Sequence, residues 1–233
     1  MKYLFLLMSL IITSPPFAFG QRPEAGTLTA QLPNGWKTTG ENPTGYDFFA
    51  DTNTKYQGKA SGSIKAKPTA VKGKFGSLAQ TVRADNYRVK RIRLSGYLKT
   101  ENVEDFSSFW VRVDGFELNP LDFDNMLDRP FIKGTNDWIK HELVVDVPQN
   151  AAVILIGVML GGSTGQIWID ELKLEIVGNE ITKTSRKIPA EDEAEMAKEW
   201  EEYKRTLGKE GLEKRLATIR SRPLAPFNLN FED

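Results

Sequence analysis

The sequence contains no cysteine among its 233 residues and only one histidine, His141. Without cysteine the fold cannot depend on disulfide bonds, so its core or a bound metal must stabilise it. A single histidine excludes a metal site built from several histidines and leaves no obvious general base. His141 shares strand parity with Ile139 and Leu143, so we expect a packed or partly exposed imidazole.

The sequence also lacks an excess of charge of either sign, because 31 lysines and arginines balance 31 aspartates and glutamates. A protein that binds nucleic acid usually carries a basic surface. We therefore expect no nucleic-acid partner and a ligand that is neutral or weakly charged.

No apolar run is long enough to span a bilayer. The longest, residues 3–12, is shorter than the roughly 18 to 20 residues that a membrane-spanning helix needs. It follows Lys2 and precedes the small-residue pattern of residues 18–20, an order typical of a secretory signal peptide. We predict a signal peptide at residues 1–20, no membrane span after it, and a periplasmic or extracellular location.

Short segments that alternate between apolar and polar residues fill the chain from residue 36 to residue 178. Residues 91–99 place aliphatic side chains on one face and Arg93 and Tyr97 on the other, as in a half-buried strand. Residues 153–160 are apolar on both faces, as in a central strand that is covered on both sides. Many strands without alternating helices predict an all-β antiparallel sandwich.

The alternation changes phase near Asp170 and Glu171 in the last of these strands. A change of phase inside one strand indicates a β-bulge. We expect this bulge to turn a carboxylate toward a neighbouring loop.

Residues 179–226 are predicted to be a linker and a helical extension. Met196, Trp200, Tyr203 and Leu207 recur at helical spacing up to Gly208, where glycine interrupts the helix. This apolar stripe either packs against the sandwich or binds a partner, as in a homodimer.

Four parts of the sequence carry a family resemblance: residues 87–100, 123–126 and 165–170, together with Trp138. They resemble the galactose-binding-like jelly-roll domains found in bacterial carbohydrate-binding modules. The resemblance covers roughly residues 36–177 and specifies the fold better than the ligand. It implies an antiparallel jelly-roll β-sandwich, here with a C-terminal α-helical extension, of a kind that is usually non-catalytic.

The sequence departs from these domains at its start. They tend to open with an Asn-Leu-Asp-Phe-Glu strand, which residues 21–35 lack, whereas residues 227–233 read Phe-Asn-Leu-Asn-Phe-Glu-Asp. We predict that this tail folds back, or crosses to a neighbouring molecule, to supply the missing edge strand. The alternative is that it begins a second domain.

The resemblance also implies a structural calcium ion, a hard cation that prefers oxygen ligands. The ligands would be Asp170, Glu232 and backbone carbonyls around Lys59 and Ser61. The alternative is that Asp170 caps a turn.

A sugar site needs aromatic faces and planar polar groups. Residues predicted to lie on the non-core faces of two strands, or in a loop beside them, meet this need: Tyr97, Trp110, Arg93, Arg112, Asn125 and Arg129. Trp200 and Tyr203 of the helix could instead cover this face. Trp36 and Trp138 are expected at corners or in the core, and Trp168 in the core.

Asp122, Asp124 and Asp128 fall in one predicted loop and could support glycoside hydrolysis if they were suitably spaced. Loops also use aspartate to bond their own backbone, so we expect no enzyme. The sequence favours a secreted, non-catalytic module that binds carbohydrate or another neutral surface ligand. The alternative is an assembly protein that self-associates through the helix or a donated tail strand.

Overall fold

The computed structural model describes residues 31–117, 119–126, 128–186 and 190–233, without the side chains of residues 190–193 and 196. The described residues form nine strands and one long helix. They are β1 (Lys37–Gly40), β2 (Tyr46–Asp51), β3 (Ser61–Ala66), β4 (Phe75–Arg83), β5 (Lys90–Gly115), β6 (Pro120–Asp124), β7 (Ile132–Val147), β8 (Ala151–Gly161), β9 (Gln166–Val177) and α1 (Ala190–Arg220). The predicted signal peptide, residues 1–20, lies outside the described residues.

The 26-residue strand β5 belongs to both sheets of the sandwich. Its first half pairs with β9 and β7, which gives sheet A the order β2-β3-β9-β5-β7. Its second half pairs with β8 and β6, which gives sheet B the order β1-β4-β8-β5-β6. All pairs are antiparallel, so the predicted antiparallel sandwich is confirmed.

The core lies between the two sheets and is mainly aliphatic. The inner face of sheet A contributes residues such as Ile92 and Leu143, and the inner face of sheet B residues such as Leu78 and Ile156, to one buried cluster. Every residue of β8 is buried, because this strand also faces a second apolar cluster on the outer side of sheet B. The prediction of a central strand covered on both sides is confirmed.

Helix α1 is kinked at Gly208, which has φ 62° and ψ −179°. Beyond the kink, Ile219 packs against the apolar cluster on the outer face of sheet B. The helix therefore lies against its own sandwich. Within the described residues, no helix is both long enough and apolar enough to cross a membrane.

A strap, residues 179–186, connects β9 toward α1 along the edge strand β7. The backbone N–H of Thr184 donates to the carbonyl of Val144 at 2.9 Å, and Lys183 Nζ lies 2.7 Å from Asp122 Oδ2. The strap thus covers backbone groups that an edge strand would otherwise leave unpaired.

The C-terminal tail, residues 227–233, returns to the sandwich of the same chain. Trp36 Nε1 donates to the carbonyl of Asn228 at 3.0 Å, and the Trp36 ring stacks on Phe231 with centroids 5.0 Å apart. The tail forms turns where an edge strand was expected. Asn228 and Phe231 have φ of 48° and 60°, values that an extended strand does not tolerate.

Candidate ligand-binding site

Three aromatic side chains meet on the outer face of sheet A, and we call them the aromatic platform: Tyr56, Tyr97 and Trp138. The rings of Tyr56 and Tyr97 stack with centroids 3.7 Å apart, and the Trp138 ring meets Tyr56 edge-on at 5.9 Å. Tyr56 is 37% exposed, and the other two are half-buried. Tyr56 is thus the most exposed ring of the platform and contacts both of the other rings.

Each platform residue is placed by a different element. Tyr97 points outward because it alternates with the core residue Leu98 in β5. Trp138 lies on the same outer face because it has the parity of Lys140, the register partner of Tyr97. Tyr56 comes from the β2–β3 loop, residues 52–60, whose backbone bends over the sheet. A hydrogen bond to Tyr97 raises the pKa of the Tyr56 hydroxyl.

Two lysines beside the platform are paired with carboxylates. Lys99 Nζ lies 2.9 Å from Asp137 Oδ1, and Lys140 Nζ lies 2.7 Å from Glu142 Oε1. Such exposed pairs contribute little stability. They neutralise these two lysines, while Glu171 also places a carboxylate near Tyr56.

A β-bulge next to Tyr97 confirms the predicted change of phase in β9. Ser95 pairs with Lys173 whereas Tyr97 pairs with Asp170, so β9 contains one extra residue here, and Glu171 has φ 50°. The bulge turns the Asp170 carboxylate toward the β2–β3 loop, where Oδ2 accepts the backbone N–H groups of Tyr56 and Gln57 at 2.9 and 3.0 Å.

The six residues predicted to bind a ligand do not share one face, and this part of the prediction is wrong. Arg93 and Tyr97 lie on the outer face of sheet A, whereas Trp110 and Arg112 lie on the outer face of sheet B. The two faces point in opposite directions because β5 passes from one sheet to the other. Arg93 also lies about 13 Å along the strand from Tyr97, given the usual strand rise. Its Nη2 forms an ion pair with Glu175 Oε2 at 3.1 Å.

Trp110 and Arg112 are also buried, at 0% and 5% exposure. Trp110 lies across Gly157, where a Cβ atom would come within 2.6 Å of the indole, and its Nε1 donates to Ser77 Oγ at 2.9 Å. Arg112 Nη2 donates to Asp114 Oδ2 at 2.7 Å. Burial raises the pKa of Asp114, and the nearby Arg112 opposes this rise.

The helix covers this face, but with other residues than those weighed from the sequence. Ile219 packs on the Trp110 cluster. Trp200 instead donates from Nε1 to the carbonyl of Glu117 at 3.0 Å and packs on Tyr203, so both rings lie at the β5–β6 turn.

Asn125 and Arg129 lie at the far edge of the sandwich, next to the strap. Arg129 forms an ion pair with the buried Asp124, whose Oδ2 also accepts the Thr184 hydroxyl at 2.5 Å. Asp122 and Asp124 lie on strand β6, so the expected loop of acids is wrong, and both carboxylates bond to the strap.

Sequence reasoning missed Tyr56 and placed Trp138 at a corner or in the core. Trp138 shares parity with the exposed Lys140, a signal that favoured the outer face. Tyr56 is an aromatic residue within a polar loop, and its neighbour in space could not be read from the sequence. Trp36 is buried as predicted. Trp168, predicted in the core, is buried at 5% exposure but alternates with the core residues Ile167 and Ile169, so it lies on the outer face of sheet A, where its Nε1 donates to Asp51 Oδ2.

The residues predicted to bind calcium have other partners. All three hydrogen bonds to Asp170 and both of those to Glu232 come from backbone N–H groups. Lys59 contributes an N–H and an ammonium group 4.0 Å from Glu232 Oε2, and Ser61 Oγ donates to the carbonyl of Thr54. The described residues contain no group of three or more acidic, histidine or cysteine side chains that could hold a metal ion. These N–H and ammonium donors do not fit a cation at this place.

No family model matches the chain. An uncharacterised HTH-type transcriptional regulator of Bacillus subtilis, YbfP, is 41% identical over 157 residues, which are 67% of this chain and 52% of the regulator. The chain thus spans about half the length of this curated relative.

Solved structures with the same kind of sandwich include part of the enzymatically active domain of tailspike protein 4 from bacteriophage CBA120, with a TM-score of 0.50 and 14% identity over 66% of this chain and 21% of that one. The CBM22-1 xylan-binding domain of Paenibacillus barcinonensis Xyn10C gives a TM-score of 0.45 and 15% identity over 64% of this chain and 90% of that domain. A family 16 carbohydrate-binding module gives a TM-score of 0.45 and 14% identity over 61% of this chain and 91% of that module. The predicted jelly-roll resemblance is confirmed at the level of fold.

Proposed function

We propose that the protein is a secreted, non-catalytic module that binds carbohydrate, or another neutral surface ligand, on the aromatic platform of sheet A. The observation that carries the proposal is the cluster of three aromatic rings on the outer face of sheet A, in which Tyr56 is 37% exposed, stacks on Tyr97 at 3.7 Å and meets Trp138 at 5.9 Å. A sugar ring offers an apolar face that stacks on such a ring, and paired polar groups around it can bond its hydroxyls.

The surroundings of the platform support a neutral ligand. Lys99 and Lys140 are each paired with a carboxylate within 3 Å, so neither cation is left to attract an anionic ligand. The equal numbers of basic and acidic residues in the whole chain agree with this.

A catalytic role is not part of the proposal. The acids weighed for glycoside hydrolysis, Asp122 and Asp124, lie beneath the strap, where Lys183, Arg129 and Thr184 engage them. The platform contributes rings and hydrogen-bonding groups, which bind and orient a ligand.

The likeness to a transcriptional regulator does not lead us to propose DNA binding. The chain has no net positive charge, and within the described residues α1 is the single α-helix. We infer that the half of the regulator that matches this chain is a ligand-binding part.

Secretion is proposed from the signal-peptide pattern of residues 1–20.

A glycan-array screen of residues 21–233, followed by calorimetric titration of any hit, tests the proposal. Tyr56→Ala and Trp138→Ala should each weaken binding by about tenfold or more, because each removes an aromatic contact with the ligand. The matched control is Phe116→Ala, which removes another half-exposed ring at the β5–β6 turn and should leave affinity unchanged. Equal losses in all three variants, or no glycan that binds, would contradict the proposal.

A further inference from the structure

We infer that two carboxylates, in place of a metal ion, hold the β2–β3 loop over sheet A, and that one of them, Glu232, makes the C-terminal tail a positioning element of the aromatic platform. The effect on ligand affinity rests on the proposed function. The effect on the loop does not, because it can be measured without a ligand.

The first carboxylate is Asp170, which is fully buried and is the register partner of Tyr97. Its Oδ2 accepts the N–H groups of Tyr56 and Gln57, and its Oδ1 accepts that of Glu171 at 2.7 Å. Because Asp170 lies beside Tyr97 and bonds the backbone of Tyr56, it brings the two stacked rings together.

The second carboxylate is Glu232, which reaches the same loop from the tail. Its Oε1 accepts the N–H of Lys59 at 2.6 Å and that of Ala60 at 3.4 Å. Gly58 leaves the necessary space, because a Cβ atom there would lie 2.0 Å from Glu232 Oε1. The two carboxylates therefore hold two consecutive parts of one loop, residues 56–57 and 59–60.

The groups that face these carboxylates are hydrogen-bond donors, which a calcium site does not use as ligands. A cation requires oxygen lone pairs directed at it, whereas here N–H donors are directed at the carboxylate oxygens. The ammonium group of Lys59, 4.0 Å from Glu232 Oε2, supplies positive charge at the same place. Charge-assisted hydrogen bonds to a carboxylate are among the stronger ones in proteins.

The tail is fixed well enough to act as an anchor for Glu232. Phe231 is 2% exposed, stacks on Trp36 and lies over Gly62, where a Cβ atom would be 2.4 Å from its ring. The bulge in β9 frees the N–H of Leu172, which donates to the carbonyl of Leu229 at 3.1 Å. One bulge thus serves both the Asp170 contact to the loop and the backbone contact to the tail.

Amide hydrogen exchange, followed residue by residue by NMR, tests the clamp. Glu232→Ala should raise exchange at Lys59 and Ala60 by about tenfold or more, as expected when a charged acceptor is removed. It should also shift the ring resonances of Tyr56, because the loop that holds this ring is released. Glu232→Gln retains an acceptor oxygen and should restore most of the protection.

The control is Glu213→Ala, which removes one negative charge from an exposed position of α1 and should change neither readout. Unchanged exchange at Lys59 and Ala60 in Glu232→Ala would overturn the inference. So would an equal rise in core amides such as that of Ile156, because this would indicate a general loss of stability.

Two further measurements complete the test. Adding calcium to chelator-treated protein should change neither exchange in residues 56–60 nor the melting temperature, and slower exchange or a higher melting temperature would overturn the metal-free clamp. For a glycan that binds the wild type, Glu232→Ala should weaken affinity several-fold, and unchanged affinity would overturn the link between tail and platform. If no glycan binds, the proposed function fails while the exchange data still decide the clamp.

Discussion

Tyr97 and Trp110 have similar sequence surroundings and opposite environments. Both are aromatic residues on the outward-facing positions of β5, and each has an arginine on the same face. They differ because the first half of β5 lies in sheet A, which leaves its outer face open at the platform, and the second half lies in sheet B, beneath α1. The same pattern therefore gives a candidate ligand contact in one case and a buried packing residue in the other.

Trp110→Ala should lower the free energy of unfolding by about 3 to 5 kcal/mol, as expected for loss of a fully buried large aromatic side chain, and should leave ligand affinity unchanged. Urea unfolding monitored by circular dichroism measures the first effect. Trp138→Ala provides the comparison, because its half-buried ring should cost much less stability. A stable Trp110→Ala variant that has lost its ligand would contradict this assignment.

At the level of single residues, the sequence predicted most of the side chains of β5, β7 and β9 that face the core, because alternation directly encodes the two faces of a strand. Ile139 and Ile176 are exceptions, at 47% and 52% exposure. It could not predict which sheet each face belongs to. The core-facing positions are even-numbered from Ile92 to Leu98 and odd-numbered from Phe109 to Val113, and the passage between sheets occurs where the pairing shifts register between Leu98 and Ser107. The contact between Tyr56 and Tyr97 depends on that passage and on loop geometry.

Among the elements, local sequence specifies the bulge in β9 but not the contacts of the strap. The bulge was predictable because a change of phase is visible in residues 167–174. The strap was not, because its contacts depend on single polar side chains that meet across about 60 residues of sequence, such as Thr184 with Asp124. The short-range periodicity of the sequence does not predict such long-range pairs.

The attachment of the strap should weaken in acid. Arg91 donates to Asp146 at 2.7 Å, and this hydrogen bond, together with the charge of Lys183, lowers the pKa of Asp146. A carboxyl group whose pKa is lower in the folded state stabilises the protein above its unfolded pKa of about 3.9, and this stabilisation is lost as the pH falls through the folded value.

Asp146→Asn should therefore reduce stability at neutral pH and make the loss of stability below about pH 4 shallower than in the wild type. Urea midpoints measured for both proteins from neutral pH down to about pH 3 provide the test. Glu213→Gln, at an exposed position of α1, controls for removal of one charge. Parallel pH profiles for Asp146→Asn and the wild type would show that this ion pair does not contribute.

For the whole molecule, the two outer faces of the sandwich have separate roles. Sheet B is covered by α1 through Ile219, and the groove beside Trp36 is filled by the tail of the same chain. The tail and the C-terminal part of α1 therefore make their contacts within one molecule. The platform on sheet A remains as the open aromatic surface that we propose for ligand binding.

This arrangement predicts a monomer. Sedimentation velocity should give the mass of one chain, and the thermal unfolding midpoint should stay constant over a roughly hundredfold range of protein concentration, because unfolding of a monomer does not depend on concentration. Exchange of the tail between molecules would instead give a dimer whose midpoint rises with concentration. A dimer that becomes a monomer when residues 227–233 are deleted would assign the tail to assembly, since Trp36 and Gly62 would then receive the Phe231 ring of a second copy.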